Sequence, residues 1–251
     1  MFGFPSYSRP ENFHFGKNFI RSVTIQIKYP KNGNIINQKA KLVKLLSEKF
    51  PNNQDLQSSS IQIKNVNNKT EFLPKSLGVS GIMFQTKDAF QSLNISESFI
   101  VLNIGGSVYT NLETLWNDIE KEVQEIFSIC QITELNWVSI RKINLIQFEL
   151  KEGVKPLEGI AAVFNNALIS NFSSIPGSEF LYNGISNFSL KNGIHNLNLT
   201  LGLIPSLDAI KNLMLDIDLF YTEEKIPIAK LMEKLFEINQ EIFNIFNWCL
   251  Q

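Results

Sequence analysis

The order in which strand patterns and helix patterns follow one another is the feature of this chain that most restricts its fold. Residues 19–29 alternate apolar and polar side chains, which predicts a strand with one solvent-facing side. An amphipathic helix is predicted over 35–50, and short strands are predicted at 60–66, 80–86 and 97–105. A second helix follows, so the first half of the chain has the order β-α-β-β-β-α.

The second half shows the same order of patterns. The helix that closes the first half begins with a capping box formed by Thr110 and Glu113. A long strand is then predicted over 135–150 and a helix over 157–170, and three strands follow. Pro227 opens a final helix, because proline is well tolerated in a first helical turn.

These patterns predict an α+β protein built from two similar β-α-β-β-β-α halves, in which antiparallel-rich sheets are covered by helices. A tandem duplication would explain the repeated order, but any mixed chain can be divided in this way, and no residue-level repeat supports the duplication. The predicted division is an aromatic N-terminal arm over 1–18, a first half over 19–131 and a second half over 132–251. The arm carries four phenylalanines that we expect to pack against the rest of the chain: Phe2, Phe4, Phe13 and Phe15.

Composition excludes two broad classes of protein. Hydrophobic residues make up 44% of the 251 residues and charged residues 19%, which is too apolar for a disordered chain. The net charge of −1 is too small for a generic polyanion-binding protein. The charge is uneven, however, because residues 1–110 contain 13 Lys and Arg against 6 Asp and Glu, whereas residues 111–251 contain 10 against 18.

The positive charge of the first half is concentrated in lysines around its first strand and helix. These lysines would form a surface that faces the phosphates of a nucleic acid, or alternatively the solvated side of a lysine-rich helix. Lysine dominates here, whereas bidentate phosphate recognition usually uses arginine. The candidate nucleic-acid-binding residues are Lys28, Lys31, Lys39, Lys41, Lys44 and Lys49.

The sequence contains no self-sufficient catalytic constellation, so we predict no catalytic residue and no cofactor. Cys130 and Cys249 each end an apolar helical run, and no CxxC occurs, which indicates buried thiols in a reducing cytoplasm. His14 and His195 are expected to be structural or surface residues, because no nucleophile motif accompanies them. No uncharged apolar run is long enough to span a membrane, so a cytoplasmic location is expected.

A glycine pair follows one of the predicted strands. Gly105 and Gly106 precede a predicted helix, which is the order found in phosphate-binding loops. The rest of such a motif is absent, because neither GxGxxG nor Gly-Lys-Ser/Thr occurs. A tight turn is therefore the expected role of this pair.

Two carboxylates, Asp216 and Asp218, are two residues apart on a predicted strand and therefore point to the same face. Such a pair can hold a divalent cation, which would suit a metal-dependent enzyme, but the sequence shows no third ligand. The alternative is a structural ion pair, because Arg141 lies in an apolar strand of the same half and a buried arginine usually has a carboxylate partner. We therefore predict a network of Arg141, Asp216 and Asp218.

The final helix is apolar on more than one side, so a single sheet cannot cover all of its apolar residues. Phe243, Phe246 and Trp248 are the candidate partner-binding residues, because clustered aromatic side chains make effective anchors in protein interfaces. Burial of these residues within the monomer is the alternative.

Three segments carry a resemblance to a known family. The run Leu215-Asp-Ile-Asp-Leu-Phe-Tyr221 and the helix that follows it resemble the closing block of an uncharacterised, sporadically distributed bacterial family of similar length. The segment Ser139-Ile-Arg-Lys-Ile-Asn144 resembles the central Arg-containing strand of that family, and Val23-Thr-Ile-Gln-Ile27 resembles its first strand. The family has no established activity, so the resemblance transfers no catalytic residue.

We rank three classes of function on these grounds. The first is a non-enzymatic interaction or regulatory protein that works through a protein partner or as a homo-oligomer. The sporadic distribution of the resembled family implies a subunit of a bacterial defence or toxin-related system. The second class is a nucleic-acid-binding module that uses the lysine-rich first half, and the third is a metal-dependent enzyme that uses Asp216 and Asp218.

Overall fold

The structure is a computed structural model of the chain. It describes residues 1–7, 18–66, 69–149, 155–174, 176, 183–204 and 210–250. Within these residues the strands are β1 (Ile20–Lys28), β2 (Asn52–Val66), β3 (Lys69–Gln85), β4 (Gln91–Ser96), β5 (Phe99–Gly105), β6 (Glu134–Glu149), β7 (Gly184–Asn192), β8 (His195–Ile204) and β9 (Ile210–Pro227). The helices are α1 (Asn34–Asn37), α2 (Lys39–Leu46), α3 (Leu112–Cys130), α4 (Pro156–Ala161), α5 (Asn166–Ser173) and α6 (Leu231–Cys249), and a 3-10 turn over Ile228–Lys230 precedes α6.

All of the described strands belong to one antiparallel sheet with the order β2-β3-β4-β5-β1-β6-β9-β8-β7. The first half supplies one side of this sheet and the second half the other. They join where β1 pairs with β6, as in the register of Ile25 with Ile140. The chain is therefore dominated by a single large sheet with few helices.

The predicted fold class is wrong on this point. Two α+β halves with separate helix-covered sheets would leave one side of β1 and one side of β6 unpaired. The structure instead pairs β1 on both sides, because Ile25 lies opposite Leu102 of β5 as well as Ile140 of β6. An apolar and polar alternation shows that a segment is a strand but does not show which strand lies beside it.

Several predicted elements also differ in extent. The helix predicted over 35–50 is two short helices, because the chain turns at Gln38 between α1 and α2. Residues 51–59 lie between the predicted helix and the strand predicted at 60–66, yet the structure places the first part of β2 there, beginning at Asn52. The strand predicted at 80–86 is the end of the much longer β3, and β4 was not predicted at all.

The N-cap of helix α3 lies one residue later than Thr110, the first residue of the proposed capping box. Asn111 is the N-cap, and its side-chain oxygen accepts a hydrogen bond of 2.7 Å from the backbone N–H of Thr114. The helix ends at Gln131, whose φ of 55° places it in the left-handed region. The apolar face predicted for this helix is buried, including Trp116, Ile119 and Ile126.

The two faces of the sheet differ in chemistry. One face, which we call the covered face, carries apolar side chains that are buried under the described helices, for example Val23, Ile82, Leu102, Ile140 and Leu215. Successive residues of a strand point to opposite faces, so the intervening residues form a second face. No described helix packs on this second face.

We call this second face the open face and define it by residues of the central strands. Most of its side chains are polar, and most are only partly exposed. Its members are Thr24, Gln26, Lys28, Asn103, Trp137, Ser139, Arg141, Asn198, Thr200, Asp216, Asp218 and Phe220.

The described part of the N-terminal arm lies on α6. The backbone N–H of Phe2 donates a hydrogen bond of 3.1 Å to Glu241, and the ring of Phe4 meets the ring of Trp248 at a centroid distance of 5.1 Å. Phe13 and Phe15 lie outside the described residues. In the described part of the chain, no helix has the length and apolar character needed to cross a membrane.

Both cysteines are expected to be inert in the native protein. Cys130 and Cys249 are fully buried, and burial raises the pKa of Cys130 to about 11 and that of Cys249 to about 12. Because the thiolate is the reactive form, a thiol reagent such as DTNB should label neither residue at neutral pH, and both after denaturation. Rapid labelling of the native protein would contradict this burial.

Candidate functional site

On the open face, one row of directly opposed residues crosses four central strands. Thr24 of β1 lies opposite Arg141 of β6, and Arg141 lies opposite Asp218 of β9. Asp218 in turn lies opposite Asn198 of β8. Because directly opposed residues of antiparallel strands point to the same face, this pairing aligns a hydroxyl, a guanidinium, a carboxyl and an amide.

Arg141 and Asp216 form a bidentate ion pair on this face. The Arg141 Nε donates to Asp216 Oδ1 at 2.9 Å, and Nη2 donates to Oδ2 at 2.6 Å. Asp216 is only 7% exposed, whereas 49% of the Arg141 side chain is exposed. Arg141 therefore covers the carboxylate and satisfies both of its oxygens, which fixes the orientation of the guanidinium.

Asp218 occupies a different environment although it is only two residues away. Burial raises the pKa of the Asp218 carboxyl, and a hydrogen bond from Asn198 and the attraction of Arg141 partly oppose this effect. The structure therefore brings Arg141, Asp216 and Asp218 together, and Arg141 forms its hydrogen bonds with Asp216.

The raised pKa of Asp218 predicts how a neutral substitution alters stability with pH. A folded-state pKa above the unfolded value means that ionisation of Asp218 costs more in the folded protein, so its contribution to stability falls as pH rises through that pKa. Relative to the wild-type protein, the stability of Asp218→Asn should increase as the pH rises through the range in which carboxyl groups ionise. Above that range the difference should stay constant. Urea unfolding at a series of pH values measures this difference.

Asp88 provides the matched control for this measurement. Hydrogen bonds from the Thr86 hydroxyl and the Phe90 backbone N–H hold the pKa of Asp88 below its usual value. Asp88→Asn should therefore lose stability relative to wild type as pH rises through the carboxyl range. If the two variants changed in the same direction with pH, the environment assigned to Asp218 would be wrong.

Neutral side chains on either side of the ion pair are linked by hydrogen bonds. The Thr24 hydroxyl donates to Asn103 Oδ1 at 3.0 Å, and Asn103 Nδ2 donates to the Ser92 hydroxyl at 3.3 Å. Farther along the sheet, the Thr200 hydroxyl donates to Asn187 at 2.7 Å. These bonds connect adjacent strands and hold a polar surface in fixed conformations.

An aromatic and cationic cluster lies at one end of the open face. The rings of Trp137 and Phe220 stack with a centroid distance of 4.2 Å and an interplanar angle of 11°. The Lys28 ammonium lies 3.8 Å from the centroid of the Trp137 ring, which is within the range of a cation–π interaction. The Trp137 Nε1 has no hydrogen-bond partner in the described part of the chain.

The lysines proposed to contact nucleic acid are distributed over several elements. Three of the six form ion pairs: Lys31 with Glu97, Lys39 with Asp55, and Lys49 with Asp118. Lys28 is the cation over Trp137, and Lys41 and Lys44 are exposed on α2. Neighbouring carboxylates therefore offset much of the positive charge that the sequence concentrates in this region.

Of the two proposed metal ligands, Asp216 and Asp218, the first is held in an ion pair with Arg141. Both Asp216 oxygens accept hydrogen bonds from Arg141, so a cation would have to displace the guanidinium. Among the residues that the structure describes, no group of three His, Cys, Asp or Glu is placed to hold a metal ion. Asp218 lies beside the pair, and its pKa is raised by burial.

The aromatic residues at the end of α6 take part in packing within the chain. Phe246 is buried, and Trp248 is partly buried against Phe4 of the arm. Phe243 is partly exposed on the same helix. The arm therefore already covers part of the Trp248 side chain. The proposal that these three residues anchor a partner stays a prediction.

The remaining candidates take structural positions. Gly106 lies in the turn after β5, where its backbone N–H donates to the Arg21 carbonyl at 2.9 Å. This position is well before α3, so the glycine pair does not form a helix N-terminus. His195 begins β8, and its ring meets the edge of Tyr221 at a centroid distance of 5.4 Å. His14 lies outside the described residues.

Sequence reasoning missed the aromatic end of the open face. Trp137 and Phe220 lie on different strands and are more than eighty residues apart in the sequence, and neither has a motif around it. Both lie at positions that alternate with buried residues, such as Val138 and Leu219. That parity was available from the sequence, but the strand register was needed to show that the two rings meet.

Comparison with known proteins adds no assignment. No protein-family model matches the chain, and no curated protein matches it. The resemblance to a sporadically distributed bacterial family therefore stays a prediction, and so does the division into halves at residues 131 and 132.

Proposed function

We propose that this protein is a non-enzymatic interaction protein that binds a protein partner on the open face of its sheet. The observation that carries the proposal is the combination on this face of a fixed ion pair and an aromatic stack that no described helix covers. A sheet face with this arrangement is available to another molecule.

The chemistry of the face favours a protein as that molecule. Tryptophan and arginine are the residues most often found at the energetic centres of protein interfaces, and Trp137 and Arg141 lie on the same strand four residues apart. The surrounding side chains are mostly neutral amides and hydroxyls, which suit a polar interface around those anchors.

A polyanion would find few available cations on the same face. Arg141 is paired with Asp216, and the partly buried Asp218 lies beside them. Nucleic-acid affinity depends mainly on cations that neutralise phosphates, so this face is poorly suited to a nucleic acid.

A matched pair of substitutions tests the proposal. Gln26 lies on the open face between Val101 and Ser139, whereas Gln124 is exposed on α3. The full-length protein, tagged at one terminus, would be purified from its native host as wild type, Gln26→Arg and Gln124→Arg. Partner recovery would be quantified by mass spectrometry. We expect a stoichiometric protein partner that Gln26→Arg reduces by about tenfold or more and Gln124→Arg leaves unchanged.

Two outcomes would contradict the proposal. One is a partner that both variants retain equally, because that partner would bind elsewhere. The other is recovery of nucleic acid with a steep salt dependence and without a stoichiometric protein, because that result would favour the polyanion alternative.

A further inference from the structure

The strand β7 forms one end of the sheet. It pairs with β8 along its whole length, from Gly184 opposite Leu203 to Asn192 opposite His195. Among the described residues, no other strand pairs with β7. The backbone groups on its outer side are therefore available to a further strand.

The edge formed by β7 lacks the features that usually prevent edge-to-edge pairing. Its nine residues contain no proline and a single charged residue, Lys191, and the ladder with β8 runs without a register shift. Two of its apolar side chains are also exposed, since Ile185 is 58% exposed and Leu190 is 44% exposed. An edge strand with these properties is suited to hydrogen-bonded pairing with a further strand.

The opposite edge of the sheet has a different construction. The ladder between β2 and β3 shifts register twice, between Leu56 and Gln57 and between Ser58 and Ser59. Such irregularities twist an edge strand and discourage addition of another strand. The contrast singles out β7 as the edge that is suited to pairing.

We propose that β7 pairs with β7 of a second copy of this chain, antiparallel and centred on Phe188. Phe188 is the middle residue of the strand, so this register uses all nine residues and is compatible with a two-fold axis. In it, Phe188 lies opposite its own symmetry mate, and Ile185 lies opposite Lys191 of the second copy.

The single charge of β7 is compatible with a second copy as the occupant, because this register keeps the two lysines apart. The single charge of the strand meets an apolar residue, whose neighbourhood can accommodate the aliphatic stem of a lysine. The two Lys191 residues of the dimer would be separated by six residue positions, or about 20 Å, so they would not repel each other strongly. The register therefore creates no like-charge pair.

The same register preserves the two faces of the sheet. Phe188 points to the covered face, because it lies opposite the buried Leu199, and its symmetry mate would point the same way. Ile185 and Lys191 both point to the other face. The dimer would contain one continuous sheet in which the two open faces adjoin, and this inference does not depend on what the open face binds.

A charge swap tests both the dimer and its register. Ile185→Lys places a lysine opposite Lys191 at two symmetric positions, so we expect the dissociation constant of the dimer to rise by about tenfold or more. Ile185→Glu places opposite charges there and should keep the dimer. The double variant Ile185→Lys with Lys191→Glu should restore it. All of these positions are exposed, so the monomer should fold normally.

Sedimentation velocity of the untagged full chain over a dilution series would measure the association. Val108→Lys is the matched control, because Val108 is an exposed apolar residue in the turn before α3, far along the sequence from β7. This control should leave the dimer unchanged. A wild-type protein that is monomeric at every accessible concentration would overturn the inference. So would a dimer that Ile185→Lys does not weaken, or one that the double variant does not restore.

Discussion

Arg141→Ala is expected to lower the free energy of unfolding by about 2–3 kcal/mol, well beyond the effect of an ordinary surface substitution. The substitution would leave Asp216, which is 7% exposed, without the guanidinium that donates to both of its oxygens. A buried carboxylate that loses its partner retains most of its desolvation cost. The half-exposed position of Arg141 keeps the expected loss below that of a fully buried pair. Urea unfolding of both proteins at neutral pH measures the change.

A second substitution separates the charge effect from lost packing. In the Arg141→Ala background, Asp216→Asn removes the unpaired charge and should recover part of the lost stability. If packing of the arginine stem caused the loss, the second substitution would recover nothing. An Arg141→Ala variant with an unaltered unfolding transition would show that the ion pair does not stabilise the fold.

Gly106→Ala is expected to have a larger effect than alanine at any other glycine whose surroundings the structure describes. A Cβ at this position would overlap the backbone carbonyl oxygen of Ile20 and would lie 2.6 Å from the carbonyl carbon. Neither atom can move freely, because Ile20 pairs with Asn144 of β6 and the next carbonyl, that of Arg21, accepts the Gly106 N–H. The first residues of β1 would have to separate from the turn after β5.

We expect this variant either to be insoluble or to lose more than about 4 kcal/mol of unfolding free energy. Soluble yield and urea unfolding measure the two outcomes. Gly33→Ala is the matched control, because Gly33 has a φ of −67° and no atom within 4 Å of an added Cβ. It should change stability by less than about 1 kcal/mol. Wild-type yield and stability for Gly106→Ala would mean that β1 and β5 do not approach as described.

The elements that the sequence predicted best are those with a strong local pattern. The alternation of β1 is confirmed at Ile20–Lys28, and the long amphipathic helices α3 and α6 occur where their apolar spacing predicted them. The hairpin of β2 and β3 was largely missed. Its first residues, Asn52–Ser60, are nearly all polar, so the local sequence carries no apolar alternation there.

The joining of the halves could not be derived from local pattern. Val23, Ile25 and Ile27 would suit an edge strand or a central strand equally well, because one apolar face is needed in both cases. Only the pairing of β1 with β6, over a hundred residues away in sequence, decides between two sheets and one.

The candidate site was predicted in part for a similar reason. The spacing of Asp216 and Asp218 placed both on one face, and Arg141 was identified from its apolar surroundings. The strand register places Arg141 directly opposite Asp218, yet its side chain bonds to Asp216 on the diagonal. The choice between two carboxylates depends on side-chain conformation and burial, which spacing alone does not determine.

The central claim is that the open face binds a protein partner. Side-chain footprinting of the purified complex tests this claim most directly. Hydroxyl-radical labelling of the protein alone and in the complex would be compared residue by residue. We expect labelling of Trp137 and Phe220 to fall on partner binding, while labelling of Phe236, which is 41% exposed on α6, stays unchanged. Unchanged labelling of Trp137 and Phe220, with protection confined to the helices, would contradict the claim.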